Sequence, residues 1–203
     1  MSITLIIGPM FSGKTSELIR LVDRKRIANK RCLILKHSQD TRFNHNDNDL
    51  SHVTTHSEIR YHKCDVVQVT DEEHAAIIDL IAGIVEHNKY DVVAIEEGHF
   101  FPEINEYCLY LANNGIEVIV SALDGSFKQE LFTNIGKLIA NSESVIKLTA
   151  VCMRCNNADA SFNIRTNDSE QEILVGGIDM YQSVCRKCLN KHRDARIAPG
   201  DVS

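Results

Sequence analysis

Gly8-Pro9-Met10-Phe11-Ser12-Gly13-Lys14-Thr15 fits G-x-x-x-x-G-K-[ST], the phosphate-binding P-loop, at every specified position. Its surroundings decide the fold. Upstream, Ile3-Thr4-Leu5-Ile6-Ile7 is an apolar, β-branched run that predicts a buried strand. Downstream, residues 16–27 predict a helix, with Leu18, Leu21 and Val22 at helical spacing. Strand, glycine turn and helix N-terminus aim several backbone N–H groups at one point, which suits a di- or triphosphate. In such a loop Lys14 reaches the β- and γ-phosphates and Thr15 offers its hydroxyl to Mg²⁺. A chance match on an ordinary strand–turn–helix is the alternative. The presence of both motif and context counts against it.

The same alternation continues along the chain. Strands are expected at residues 32–35, 65–69, 91–95, 117–121 and 145–148. Helices are expected at 74–86, at 102–113 with Pro102 in the favoured first position, and at 134–140. Apolar strands alternating with helices imply an α/β fold: a mostly parallel, P-loop NTPase-like sheet flanked by helices. Between residues 40 and 62 the chain turns polar and turn-rich, which predicts a long loop. His37, His45, His52, His56 and His62 lie in or near it at spacings that match no metal motif.

The chain has 203 residues, 43% hydrophobic, with a formal charge of −6 and a pI near 5.8. No apolar run reaches the length of a membrane span, and the first strand begins almost at Met1, so a cytoplasmic protein without a leader is expected. A nucleic-acid binder usually carries a basic surplus, which is absent here. Arg20, Arg24, Lys25, Arg26, Lys30 and Arg31 cluster after the P-loop and are expected to form a solvated helix face and its exit turn.

Val92-Val93-Ala94-Ile95-Glu96-Glu97 is an apolar strand ending in two carboxylates. In a P-loop protein the first of these, Glu96, corresponds to the acid that helps hold Mg²⁺. Glu97 is then left to take a proton from an alcohol acceptor or to orient a water. Mere capping of the following helix is the alternative.

Cys152-Met153-Arg154-Cys155 and Cys185-Arg186-Lys187-Cys188 supply four thiolates for a structural, tetrahedral Zn²⁺. Between them, residues 160–166 and 172–175 read as short strands of a small zinc-ribbon β domain. Cys32, Cys64 and Cys108 sit in or near apolar stretches and are expected to be small buried hydrophobes. The expected organisation is an α/β body over residues 1–150, a ribbon over 151–192 and a disordered tail over 193–203.

Taken together, these motifs resemble the type II thymidine kinases. The resemblance rests on the P-loop with Ser16-Glu17-Leu18, on Asp40-Thr41-Arg42-Phe43, and on Glu97-Gly98-His99-Phe100-Phe101-Pro102. Ala122-Leu123-Asp124-Gly125-Ser126-Phe127, Lys147-Leu148-Thr149-Ala150-Val151-Cys152 and Gly176-Gly177 through Tyr181 to Cys185 complete it. The resemblance implies ATP-dependent phosphorylation of the 5′-hydroxyl of thymidine, and of deoxyuridine, with Glu97 as general base. It places Gly8 to Thr15, Arg42 and Glu96 on ATP and Mg²⁺. Met10, Leu123 and Tyr181 would wall the base pocket, with Phe100 and Phe127 packed near the base. Asn163 would neighbour the thymine methyl. Val175, Gly176, Gly177 and Ile178 would clasp the base edge from a lasso-like loop anchored by the zinc site. A homotetramer and feedback inhibition by thymidine triphosphate are also implied, with neither nucleic acid nor membrane as partner.

The chain departs from the family pattern in three places. The usual Asp-Glu-Gly-Gln stretch is Glu96-Glu97-Gly98-His99, Asn163 stands where Thr is common, and the loop from Asn44 to Ser57 differs from the shorter forms. Two other functions compete. One is an ATP-driven nucleic-acid remodeller using Arg154, Arg165, Arg186, Lys187, Lys191 and Arg193 as a basic ribbon face. The other is an inactive nucleotide-binding relative.

Overall fold

A computed structural model describes residues 1–37, 53–54, 60–61, 63–69, 74–166 and 180–197. Apolar runs form β1 (Ile3–Ile7) and β2 (Cys32–His37) as expected, whereas the short β3 (Val53–Thr54) and β4 (Arg60–Tyr61) fall within the stretch expected to be a long loop. β5 (Asp65–Val69), β6 (Val92–Ile95), β7 (Glu117–Ala122) and β8 (Ser144–Lys147) follow. Six of them make one sheet in the order β5-β2-β6-β7-β1-β8, every pairing parallel. β3 and β4 pair antiparallel on their own.

Strand parity sorts the core into two layers. Ile3, Leu5 and Ile7, with Leu33, Leu35, Val93, Ile95, Val118 and Val120, pack on one face. That face is covered by α2 (His74–Glu86), α3 (Ile104–Asn113) and α4 (Thr133–Ala140). Ile6, Ile34, Ala94 and Ile119 face the other way, onto Leu18 and Val22 of α1 (Lys14–Ile27). The basic last turn of α1, Arg24 to Arg26, complements the negative end of its dipole, and Lys25 pairs with Glu117 at 2.6 Å.

Several boundaries differ from expectation. α3 begins at Ile104, not Pro102, because a 3₁₀ turn at Gly98–Phe100 precedes it and Phe101 is extended (φ −91, ψ 109). α5 (Arg186–Ile197) runs past Lys191, so residues 193–197 are helical; 198–203 lie outside the described residues. The ribbon begins at β9 (Ala150–Val151), so the division expected at 150/151 falls inside a strand. β9 pairs with β10 (Asp159–Ala160), and β11 (Phe162–Arg165) with β12 (Tyr181–Val184), both antiparallel. The strand expected at 172–175 lies outside the described residues.

Candidate active site

The P-loop leaves β1 through two glycines that no other residue could replace without strain. Gly8 has φ +152, and a Cβ on it would meet the Leu148 carbonyl oxygen at 2.6 Å. Gly13 caps α1 in the left-handed region at φ 83. Inside the loop, Ser12 Oγ donates to the Pro9 carbonyl at 2.8 Å and Lys14 Nζ donates to the same carbonyl at 2.9 Å. Lys14 and Thr15 are both buried.

The ribbon grips the tip of this loop. Met10 N–H donates to Asn163 Oδ1 at 3.0 Å, and Ser183 Oγ donates to the Met10 carbonyl at 2.5 Å. The polar groups of the Met10 backbone are thus committed to the ribbon. Phe11, at φ 61, packs against the ribbon core of Cys152, Ile164, Val184 and Leu189.

Glu96 and Glu97 end β6, both almost fully buried. In the sheet β7 lies between β6 and β1. Two strand spacings separate them from β1, about 10 Å, and Leu123 sits at the end of the intervening strand. Glu97 adopts a left-handed backbone (φ 49, ψ 48), which turns the chain sharply. Gly98 follows because a Cβ there would meet Val120 Cγ1 at 2.7 Å. His99 Nδ1 lies 3.4 Å from Glu97 Oε2 and 3.4 Å from the Leu123 nitrogen. The turn is strapped by Asn134, whose Nδ2 donates to the carbonyls of His99 (3.3 Å) and Phe101 (2.8 Å). Phe100 packs on His99 with ring centroids 4.3 Å apart, and stacks on His37 at 5.6 Å.

The paired strands β11 and β12 present one face to Met10 of the P-loop and to Phe127. Their register pairs Asn163 with Ser183 and Arg165 with Tyr181. Arg165 is only 1% exposed, and its guanidinium lies 3.9 Å from the Phe127 ring centroid and 5.1 Å from that of Tyr181. Its Nη2 also donates to Tyr181 Oη at 2.5 Å. Arg165 is therefore buried against Phe127 and Tyr181 and is not part of a basic outer face. Gln129 ties the Phe127 loop to the ribbon by donating to the carbonyls of Phe127 and Asn163. Arg165 and Ser183 were not singled out as site residues in the sequence. The available signal was the alternation in Phe162-Asn163-Ile164-Arg165, apolar then polar.

The four cysteines of the two C-x-x-C pairs converge, with all Sγ atoms within 4.8 Å of one another. A tetrahedral Zn²⁺ with Zn–S bonds near 2.3 Å needs Sγ atoms roughly 3.8 Å apart; Cys155 and Cys185 already stand at 3.9 Å. Burial works against a charged Cys152, but backbone N–H groups of Cys185, Cys155 and Arg154 outweigh it and bring the thiol down to about 6. All seven cysteines are free thiols. The residues fit zinc, with no open position for catalysis. Cys32 and Cys108 are buried and Cys64 half-buried. Loss of water pushes Cys32 up to about 11 and Cys64 up to about 12.

The sequence matches a known family. The sequence profile of the family described as "Thymidine kinase" matches residues 1–189. The chain belongs to the thymidine kinase family. It is 56% identical to the thymidine kinase of Acanthamoeba polyphaga mimivirus, over 95% of this chain and 84% of that one. It is 45% identical to the thymidine kinase of raccoon poxvirus, over 92% and 95%. It is 42% identical to thymidine kinase 1 of Dictyostelium discoideum, over 95% and 79%.

Of the residues that the thymidine kinase resemblance assigns, the structure groups Glu97, Phe100 and Leu123 around His99, sets Asn163 on Met10 of the P-loop, and gathers Phe127 and Tyr181 on Arg165; Glu96 is buried just after β6. Arg42, Val175, Gly176, Gly177 and Ile178 lie outside the described residues, as do His45, His52, His56, His62 and the loop from 44 to 52. Among the described residues no helix is long and apolar enough to cross a membrane.

Proposed function

We propose that this thymidine kinase transfers the γ-phosphoryl group of ATP to the 5′-hydroxyl of thymidine, and of deoxyuridine. The observation that carries this is the placement of two buried carboxylates two strands from the P-loop, with Leu123 between. In this reading the γ-phosphoryl group and the acceptor hydroxyl lie between Lys14 and Glu97. Glu97 takes the proton of the 5′-hydroxyl as the oxygen bonds to phosphorus and the bond to ADP breaks. Lys14 holds the β- and γ-phosphates, and the backbone from Gly8 to Thr15 cradles them. Thr15 and Glu96 would hold Mg²⁺, which neutralises charge on the transferring group.

The base would lie between Phe100, Leu123 and Phe127, closed by Tyr181 and by residues 175–178. Asn163 would touch the 5-methyl group only through its apolar edge, since its Oδ1 accepts the Met10 N–H. Arg42 is assigned to the phosphates. The division into a kinase body and a ribbon anchoring the lasso loop belongs to the same proposal. So do a homotetramer, inhibition by thymidine triphosphate spanning base pocket and P-loop, and a cytoplasmic location, for which the free thiols speak.

The test is ATP-dependent phosphorylation of thymidine, deoxyuridine, deoxycytidine, deoxyadenosine and deoxyguanosine. Turnover of thymidine with little on cytosine or purine nucleosides supports the assignment. ATP binding with no turnover on any of them overturns it in favour of an inactive relative. Light scattering reads the oligomer in the same preparation.

A further inference from the structure

The turn that carries Phe127 is closed on itself and tied outward through Gln129. Gly125 bridges Leu131 antiparallel, Ser126 N–H donates to the Glu130 carbonyl at 2.9 Å, and Gln129 N–H donates to the Ser126 carbonyl at 3.0 Å. These bonds set the shape of the turn, not its place against the ribbon. The Gln129 side chain acts on that place. Its Nε2 carries two hydrogens, and donates to the Phe127 carbonyl and, at 3.1 Å, to the Asn163 carbonyl of β11. Its Oε1 accepts from Arg193 Nη2 on α5. The amide fits one way round. Turned over, it would set its oxygen against two carbonyls and its hydrogens against a guanidinium.

We propose that Gln129 is a positioning residue for the nucleoside: its amide holds the Phe127 turn against β11, and Arg193 holds that amide from α5. This rests on the reading of Phe127 as part of the base pocket. Segments far apart in sequence, at Phe127, Asn163 and Arg193, meet at one amide. A guanidinium on Oε1 also polarises the amide and strengthens both of its donor bonds. The Arg165 guanidinium, 3.9 Å from the Phe127 ring centroid, keeps that contact only while the turn keeps its distance from β11. The base takes no part in bond making at the 5′-hydroxyl, so its contact with Phe127 is the same in ground and transition states. Loosening that contact weakens nucleoside binding without slowing the chemical step.

The experiment is steady-state kinetics of the full chain, with thymidine and ATP each varied. Gln129→Leu, similar in bulk but without polar atoms, is expected to raise KM for thymidine roughly 5- to 30-fold, as fits the loss of one or two neutral hydrogen bonds. kcat and KM for ATP should stay within about 3-fold. Gln129→Glu keeps an acceptor for Arg193 but turns oxygen toward both carbonyls, so it should match Gln129→Leu. Arg193→Ala leaves both donor bonds in place and should raise KM for thymidine only about 2- to 5-fold. Added to Gln129→Leu, it should cost nothing further, because the atom it held is gone.

Parental KM in Gln129→Leu or Gln129→Glu, a loss carried by kcat, or losses that add in full in the double variant overturn the proposal. Arg193 is exposed on α5, so its variant gives a reading even where a Gln129 variant fails to fold. Parental KM for thymidine in Arg193→Ala overturns the proposal by itself. Phe127→Ala separates the two claims. If it keeps parental KM for thymidine, the base-pocket reading fails, whatever the Gln129 variants do.

Discussion

Ser183→Ala is the sharpest perturbation of the contact between ribbon and P-loop. Ser183 is fully buried, and its hydroxyl has one hydrogen. That hydrogen goes to the Met10 carbonyl at 2.5 Å, since the other acceptor in reach, Asn163 Oδ1, is 3.4 Å away. The backbone of Ser183, which accepts from Met153 N–H at 2.9 Å, is untouched by the change. What remains is a buried carbonyl without its donor, at a cost of about 2 kcal/mol. In a protein of this size each kcal/mol moves the midpoint by roughly 2–4 °C, so Tm should fall by about 4–8 °C. The P-loop tip would also lose one of its two backbone anchors, and ATP affinity should weaken by up to about 30-fold. Calorimetric unfolding and ATP titration of the zinc-loaded protein measure both quantities. Asn163→Ala should not add to Ser183→Ala in full, because both side chains hold the same residue. An unchanged Tm with unchanged ATP affinity would refute the clamp. A fall in Tm accompanied by loss of zinc would assign the effect to the ribbon's own folding instead.

Glu97→Gln should lower kcat by about 10²- to 10⁴-fold while ATP binding persists, as read by turnover and calorimetry. Elemental analysis should find one zinc per chain, and chelation should remove helical circular dichroism from α5, whose first turn carries Cys188. Gly98→Ala should destabilise by roughly 1–3 kcal/mol through its clash with Val120, with partial rescue by Val120→Ala. Cys32 and Cys64 should resist alkylation in the folded protein at pH 8. With thiols raised to about 11 and 12, at most about one in a thousand is ionised there, so labelling as fast as a free thiol would show that burial is not controlling them.

The sheet was legible because its strands carry their own signal. Ile3 to Ile7 and Val92 to Ile95 are apolar on both faces, and the sheet buries both. The P-loop and the four clustered cysteines were legible because spacing alone defines them. Strand order was not. Nothing in the chain announces that β7 enters between β1 and β6, since that follows from how the helices pack. The start of α3 was misplaced because Pro102 suits a first helical position. A local propensity lost there to the turn that Glu97 and Gly98 need. Arg165 was hardest to find: an arginine in a short strand looks solvent-exposed until Phe127, far off in sequence, is brought against it.

The β11–β12 hairpin also divides its residues by number. Odd positions, Asn163, Arg165, Tyr181 and Ser183, meet Met10 of the P-loop or Phe127 or one another; even positions, Phe162, Ile164 and Val184, pack in the layer around the four cysteines, with Gln182 the polar exception. A saturation scan of these two strands should therefore split by parity. Odd substitutions would show up as altered kinetics in protein that still carries its metal, even ones as protein that no longer accumulates. Insertion of a single residue in either strand would exchange the two sets and abolish both traits at once.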